Sequence, residues 1–191
     1  MSAKNRGLQP LPDEFYRTPE WLVRPILEEL IPKTCMYSTY NILEPACGDG
    51  AIVEVMRTIQ RPYKIEIDAY DINPRGCGLA GGFLTMPTDK KYDLILTNPP
   101  FSLALEFAKK AMTLRKDITS LAVLLVRLGF LAGQLRADWM RKHTPSIYIS
   151  PKRPMFRLNK KGKKGSDATD YCWAVWGEHR PLVNILKTED L

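Results

Sequence analysis

Residues 97–101 read Thr97-Asn98-Pro99-Pro100-Phe101, directly after Asp93-Leu94-Ile95-Leu96. An amide, two rigid imino acids and an aromatic ring here close an apolar run. Proline fixes φ and has no N–H to donate, so the simplest reading is a turn that ends a strand. A second reading is chemical. The side-chain oxygen of Asn98 and the backbone carbonyl of Pro99 are two acceptors, and consecutive prolines hold them in place. Such a rigid cup suits one planar amine, with Phe101 beside it to stack on a ring.

A second cluster, Glu44-Pro45-Ala46-Cys47-Gly48-Asp49-Gly50, follows the short strand Asn41-Ile42-Leu43 and precedes a helix beginning with Ile52, Val53 and Met56. The glycines let backbone amides approach a ligand with no Cβ in the way, and Glu44 can accept from an ammonium group. About 20 residues on, Asp71 ends the next strand, where a carboxylate can take both hydroxyls of a ribose. The third glycine of the dinucleotide fingerprint is replaced by Val53, which favours a nucleoside without a pyrophosphate. A tight strand–helix turn is the plain alternative for this motif.

These clusters need a scaffold. Thr18-Pro19 predicts a helix start, Thr as cap and Pro at the first helical position, with Leu22, Ile26 and Leu30 on one face and Pro32 beyond the end. Strands are expected at 41–43, 65–70, 83–84, 93–97, 121–126, 147–149 and 171–176, with helices after the glycine turn, over Leu103–Met112 and around Gln134–Lys142. Strands alternating with helices predict an α/β fold, a mostly parallel seven-stranded sheet with helices on both faces. Residues 1–14 read as a flexible arm and 15–191 as one domain. Ligands in such a sheet sit beyond the carboxyl ends of the strands, where both clusters fall.

Composition narrows the partners. The 191 residues carry 45% hydrophobic and 26% charged residues, ordinary values for a globular protein. No run is long and apolar enough to span a bilayer, and the first residues lack a secretory pattern. Four scattered cysteines without a C-x-x-C pair, and two histidines, argue against a metal site and for a reducing cytoplasm. The net charge of +7 lies wholly in the second half, since residues 1–100 hold 11 Lys/Arg against 13 Asp/Glu. Lys152, Arg153, Arg157, Lys160, Lys161, Lys163 and Lys164 crowd a loop at about 151–170, which suits a polyanion. A merely solvated loop is the plain alternative.

With these residues in hand, the chain resembles S-adenosylmethionine-dependent DNA adenine-N6 methyltransferases. Glu44–Gly50 is similar to their first cofactor motif, Asn98-Pro99-Pro100-Phe101 to their catalytic motif, and Phe15-Tyr16-Arg17-Thr18-Pro19 to the segment that closes over the methionine part of the cofactor. The order of the three is that of the gamma arrangement. Arg127-Leu128-Gly129-Phe130-Leu131 and Asp170–Trp176 resemble small phage or orphan members, and the matched segments run from about residue 15 to 177. The resemblance implies a Rossmann-like methyltransferase fold and S-adenosyl-L-methionine held by Tyr16, Thr18, Pro19, Glu44, Ala46, Cys47, Gly48, Asp49, Gly50, Asp71, Ile72, Phe83, Leu84 and Asn98. It also implies DNA as partner, no metal, and a place in the cytoplasm of a bacterial or phage-infected cell.

Two departures stand out. The family's acidic residue before Phe-Leu of the third motif is Gly82 here, so the adenine of the cofactor needs another contact. A separate target-recognition domain has no room in 191 residues, so a short or relaxed site is expected. An adenine in duplex DNA must be flipped out. Arg127, the basic loop, Tyr171, Trp173 and Phe156 are candidates to hold the strand, line the pocket or fill the gap, although alternating Tyr171, Trp173 and Val175 also read as the core face of a strand. The same motif fits methylation of adenine in RNA or of a protein glutamine amide. A non-catalytic, cofactor-dependent nucleic-acid-binding subunit is the reading from a different class.

Overall fold

The computed structural model describes residues 14–34, 38–154, 156, 169–177 and 182–186. The arm at 1–13 and Arg157, Lys160, Lys161, Lys163 and Lys164 of the basic loop lie outside the described residues.

Eight strands form one sheet in the order β3-β2-β1-β4-β5-β7-β6-β8. They are β1 (Thr39–Glu44), β2 (Lys64–Asp71), β3 (Leu79–Ala80), β4 (Leu94–Thr97), β5 (Leu121–Arg127), β6 (Ser146–Ile149), β7 (Tyr171–Trp176) and β8 (Val183–Ile185). Only β7 runs against its neighbours β5 and β6; every other pairing is parallel. The expected seven strands become eight. Val183–Ile185 is too short and too exposed to carry a period of its own, and it pairs only because β6 offers an edge. The strand expected at Phe83-Leu84 is a turn; β3 forms instead at Leu79–Ala80.

Continuous aliphatic runs build the centre, as parallel strands covered on both faces require. Leu121 to Val126 of β5 are all buried, and Arg127 at the carboxyl end is exposed. On one face α1 (Glu20–Leu30) and α2 (Ala51–Thr58) pack Leu22, Ile26, Leu27, Ile52 and Met56 against Ile42, Leu96, Val123 and Trp173. On the other, α3 (Ala104–Thr113) and α4 (Ala137–Lys142) cover Ile95, Ala122, Leu124 and Trp176 through Phe107, Ala108, Ala111 and Trp139. Among the described residues no helix is long and apolar enough to cross a membrane.

Strand order reverses between β1 and β4: β2 and β3 lie to one side, β4 and β5 to the other. A crevice opens where successive connections leave to opposite faces. The glycine turn after β1 and Asn98 after β4 therefore meet there, although over 40 residues of chain separate them.

Candidate active site

The turn after β1 is held in a conformation that favours glycine. Gly48 and Gly50 have φ of +53° and +89°, in the left-handed region that side chains disfavour. A Cβ on Gly48 would also run into Cε2 of Phe15, and one on Gly50 would strike Cys77. The Gly48 N–H donates to Asp71 Oδ2 at 2.8 Å, and Asp71 Oδ1 accepts from Asn73 N–H at 2.8 Å. Asp71 thus fixes the loop from the end of β2 while lining the crevice. Its carboxylate keeps further lone pairs for a ligand hydroxyl.

Glu44 is placed differently from expectation. It is fully buried and lies off the cavity wall, so it does not meet a ligand ammonium in this arrangement. Oε1 accepts from Ala46 N–H at 3.0 Å, whereas Oε2 has no well-formed partner among the described residues. Burial pushes its pKa up to about 8, only partly opposed by the Thr97 hydroxyl and the Ala46 amide. The reason is positional: Glu44 is the last residue of β1, and its side chain falls inside the sheet layer. Cys47, whose thiol donates to the Cys77 carbonyl at 3.3 Å, is pushed up to about 12 by burial and by Cys77, so it is an inert wall group rather than a nucleophile.

The segment 14–18 lies across the crevice as a strap with several fastenings. The Glu14 carboxylate accepts from the Ser102 N–H at 3.0 Å and from its hydroxyl. The Arg75 guanidinium sits 4.5 Å above the Phe15 ring, and Arg17 pairs with Asp49 and Glu54. Asn98 supplies the central tie: its Nδ2 donates to the Tyr16 carbonyl at 2.9 Å and to Thr18 Oγ1 at 3.0 Å. The sequence suggests Thr18 as the cap of α1, but Pro19 takes the cap position and no side chain caps the helix. The threonine hydroxyl is engaged by Asn98 instead.

This tie decides the orientation of Asn98. Only the amide nitrogen can donate to a carbonyl, so Oδ1 must point the other way. Oδ1 is buried and has no hydrogen-bond partner among the described residues. Native structures leave few such atoms, and each calls for an explanation.

Strap, glycine turn and Asn98 enclose a cavity of about 290 Å³, close to the lower end of small-molecule sites at roughly 300–1,000 Å³. Of the expected cofactor residues, Tyr16, Thr18, Ala46, Cys47, Asp49, Asp71, Ile72, Phe83, Leu84 and Asn98 line it, while Pro19, Glu44, Gly48 and Gly50 do not. Phe15, Arg75, Gly82, Thr85, Leu103 and Phe107 are among the further residues of the wall, as are Glu14, Arg17 and Pro100. Phe15 sits within the strap motif and was legible from it; nothing local marks Arg75 or Thr85. Ile72, Phe83, Leu84 and Phe107 give the cavity an apolar wall, and Glu14, Asp49 and Asp71 are its acidic groups.

Pro99 is buried, and the Pro100 carbonyl accepts from Leu103 N–H at 2.9 Å to close a turn. Phe101 is not free to receive a ring. Tyr16 stacks on it at 5.5 Å and 22°, and the Arg127 guanidinium lies over it at 4.7 Å. Phe156 and Tyr171 close an aromatic group behind them. Tyr171 and Trp173 are 1% and 0% exposed, and the Trp173 indole donates to the Leu22 carbonyl at 2.9 Å. They are core residues, so the expectation that they touch nucleic acid is corrected. Both faces of β7 are covered, one by Leu22 of α1 and the other by Trp139 of α4, which alternation alone does not reveal. Of the basic loop, Arg153 pairs with Asp170 at 2.7 Å and Lys152 lies 4.9 Å above Trp21.

No family model matches the chain. Residues of the chain are 34% identical over 87 positions to the type II methyltransferase M.TthHB8I of Thermus thermophilus, covering 42% of the chain and 20% of that protein. They are 37% identical over 71 positions to the type II methyltransferase M.CvrRI of Paramecium bursaria Chlorella virus XZ-6E, covering 32% and 18%. The chain thus spans about a fifth of the length of the curated relatives it matches. A Listeria monocytogenes protein described as a class I S-adenosylmethionine-dependent methyltransferase superposes with a TM-score of 0.65 at 14% identity, over 97% of this chain and 69% of that one. The fold is that of the Rossmann-like methyltransferases. At such identity the superposition speaks for architecture, and the chemistry rests on the site.

Proposed function

We propose that the chain is an S-adenosylmethionine-dependent methyltransferase that modifies the exocyclic N6 amine of adenine in DNA. One observation carries the reading: an asparagine on the cavity wall whose nitrogen is tied off and whose oxygen is left without a partner among the described residues. Partial similarity to two type II methyltransferases supports DNA as the substrate class.

The cavity fits the cofactor on its own features. Ile72, Phe83, Leu84 and Phe107 offer an apolar slot for a purine, and Asp71 brings to the same cavity a carboxylate that suits ribose hydroxyls. S-adenosyl-L-methionine supplies, when bound, a methyl group on a sulfonium, which is electrophilic without a metal.

The chain's part is to direct a poor nucleophile. The adenine amine is conjugated into its ring, so its lone pair is not aimed at anything. Asn98 Oδ1 and the Pro99 carbonyl accept the two amine hydrogens and favour a more tetrahedral nitrogen. Tyr16 and Thr18 fix Asn98 and the prolines fix the backbone, which supports acceptors that need no reorganisation at the reaction. The strap excludes water and aligns nitrogen with carbon, an orientation effect worth several kcal/mol. A base that stacks on Phe101 must displace the Arg127 guanidinium, which then becomes free to meet a phosphate.

The deciding experiment offers radiolabelled cofactor to duplex DNA, RNA and protein in parallel. Label is expected in duplex DNA, as N6-methyladenine. Label only in RNA or protein would refute the substrate, and no transfer to any would favour the binding-subunit reading. Asn98→Ala is expected to lower kcat by about 10²–10³-fold. Sequencing of modified adenines in DNA from cells expressing the chain then maps the recognition site.

A further inference from the structure

Extrusion of an adenine from a duplex costs its stacking and pairing, and an apolar side chain inserted between base steps can occupy the gap it leaves. The aromatic candidates Tyr171 and Trp173 are buried in the core. The loop after β5 offers a different side chain. Leu135 is 97% exposed, more than any other large hydrophobic among the described residues, the next being Ile72 at 72%.

Single exposed apolar residues are common and ordinarily mean nothing. Leu135 differs because its loop is built stiff around it. The Arg136 guanidinium turns back and donates to the Phe130 carbonyl at 2.9 Å, to that of Gly129 at 3.2 Å and to that of Ala132 at 2.5 Å. It also lies 5.2 Å above the ring of Phe130, which is itself in the core. Gly133, at φ +128°, leaves room for that guanidinium: a Cβ there would be 2.8 Å from its Nη2. One arginine thus ties three carbonyls of the loop, and the residue before it projects into solvent. A loop free to relax would fold the leucine back onto apolar surface.

Placement points the same way. The loop leaves the carboxyl end of β5, and the last residue of that strand, Arg127, covers Phe101 of the N-P-P-F motif. Leu135 follows the carboxyl end of β5, and Asn98 follows that of the parallel strand β4, so both belong to connections on the same side of the sheet. Apolar wedges of this size enter base steps and hold them apart.

We propose that Leu135 is the wedge that enters the stack and occupies the gap left by the flipped adenine, with Arg136 as the brace that keeps it projecting. This rests on the adenine-N6 reading and adds the positioning residue that makes a paired adenine accessible.

The test compares methyl transfer to two duplexes carrying the mapped site, one fully paired and one with an abasic position opposite the target adenine. For Leu135→Ala, the paired-to-abasic ratio of kcat/KM is expected to fall roughly tenfold or more relative to wild type. The fluorescence rise of 2-aminopurine placed at the target should fall with it. Leu135→Met, which keeps a wedge of similar volume, should restore both. Ile118→Ala removes another exposed apolar side chain, 64% exposed, in the turn before β5 and at the opposite end of that strand. It should leave the ratio unchanged. A Leu135→Ala ratio within twofold of wild type overturns the wedge while leaving the adenine reading intact. Wild type that labels neither duplex overturns the adenine reading, and the wedge with it.

Discussion

Gly82 lines the cavity where relatives by motif carry an acid, and its backbone does not need to be glycine: φ lies outside the left-handed region. A Cβ there would come within 3.0 Å of the Thr85 hydroxyl, which can turn aside from its bond to the Gly82 carbonyl. Gly82→Asp is therefore expected to tighten S-adenosylmethionine binding about tenfold by calorimetry, the order of one charge-assisted hydrogen bond. Glu44 makes an opposite case, a charge with nowhere to go. Its pKa in the folded chain is about 8 against an ordinary 4.5, so the folded state holds a proton that the unfolded state releases across that window. Stability then falls as pH rises from about 4.5 to 8, and the loss is complete above it. Glu44→Gln keeps the neutral shape. Its gain in Tm should be near zero at about pH 4, grow through this window to the equivalent of at most about 5 kcal/mol, and stay level above it. A gain independent of pH would mean that Glu44 is not the titrating group.

At the scale of the element, the strap at 14–18 and the turn after β1 behave as one clamp, because each fills space the other leaves. Gly48→Ala has two faults, a side chain at φ +53° and a Cβ inside the Phe15 ring. The first costs about 1–2 kcal/mol of stability by itself. The second expels Phe15, so cofactor affinity is expected to fall by roughly tenfold or more, a tenfold loss being about 1.4 kcal/mol of binding, beyond what the Tm predicts. Arg17→Ala separates the two effects. Arg17 and Glu54 are exposed and Asp49 partly so, so Tm should change by less than about 1 kcal/mol equivalent, yet the strap loses a fastening and stopped-flow should show faster cofactor release. Equal dissociation rates would show that Asn98 and Glu14 hold the strap without it. The helix that follows begins one residue later than Thr18-Pro19 implies, and the threonine hydroxyl accepts from Asn98 instead of capping it.

At the scale of the whole molecule, positive charge is gathered in the second half of the chain, and Arg127 at the end of β5 lies over Phe101 of the N-P-P-F motif. Replacing Lys160, Lys161, Lys163 and Lys164 with Gln should weaken DNA binding and flatten the dependence of log K on log salt, by about 0.9 for each phosphate the loop no longer neutralises. Titrations at several salt concentrations check this, and an unchanged slope would remove the loop from the interface. The sequence by itself determined the chemistry on offer and the class of fold. N-P-P-F, E-x-x-x-G-x-G and the aliphatic runs of β4 and β5 act through short-range sterics and local polarity, which neighbours along the chain settle. Tertiary structure alone decided how those groups are used. It turned the Asn98 nitrogen to a carbonyl 82 residues away and sank Glu44 beneath the turn. It covered both faces of β7 so that Trp173 became core, and it left Leu135 standing out from a braced loop. Burial and hydrogen-bond partnership depend on segments remote in sequence arriving at one place, and no local pattern encodes which of two faces the rest of the molecule will cover.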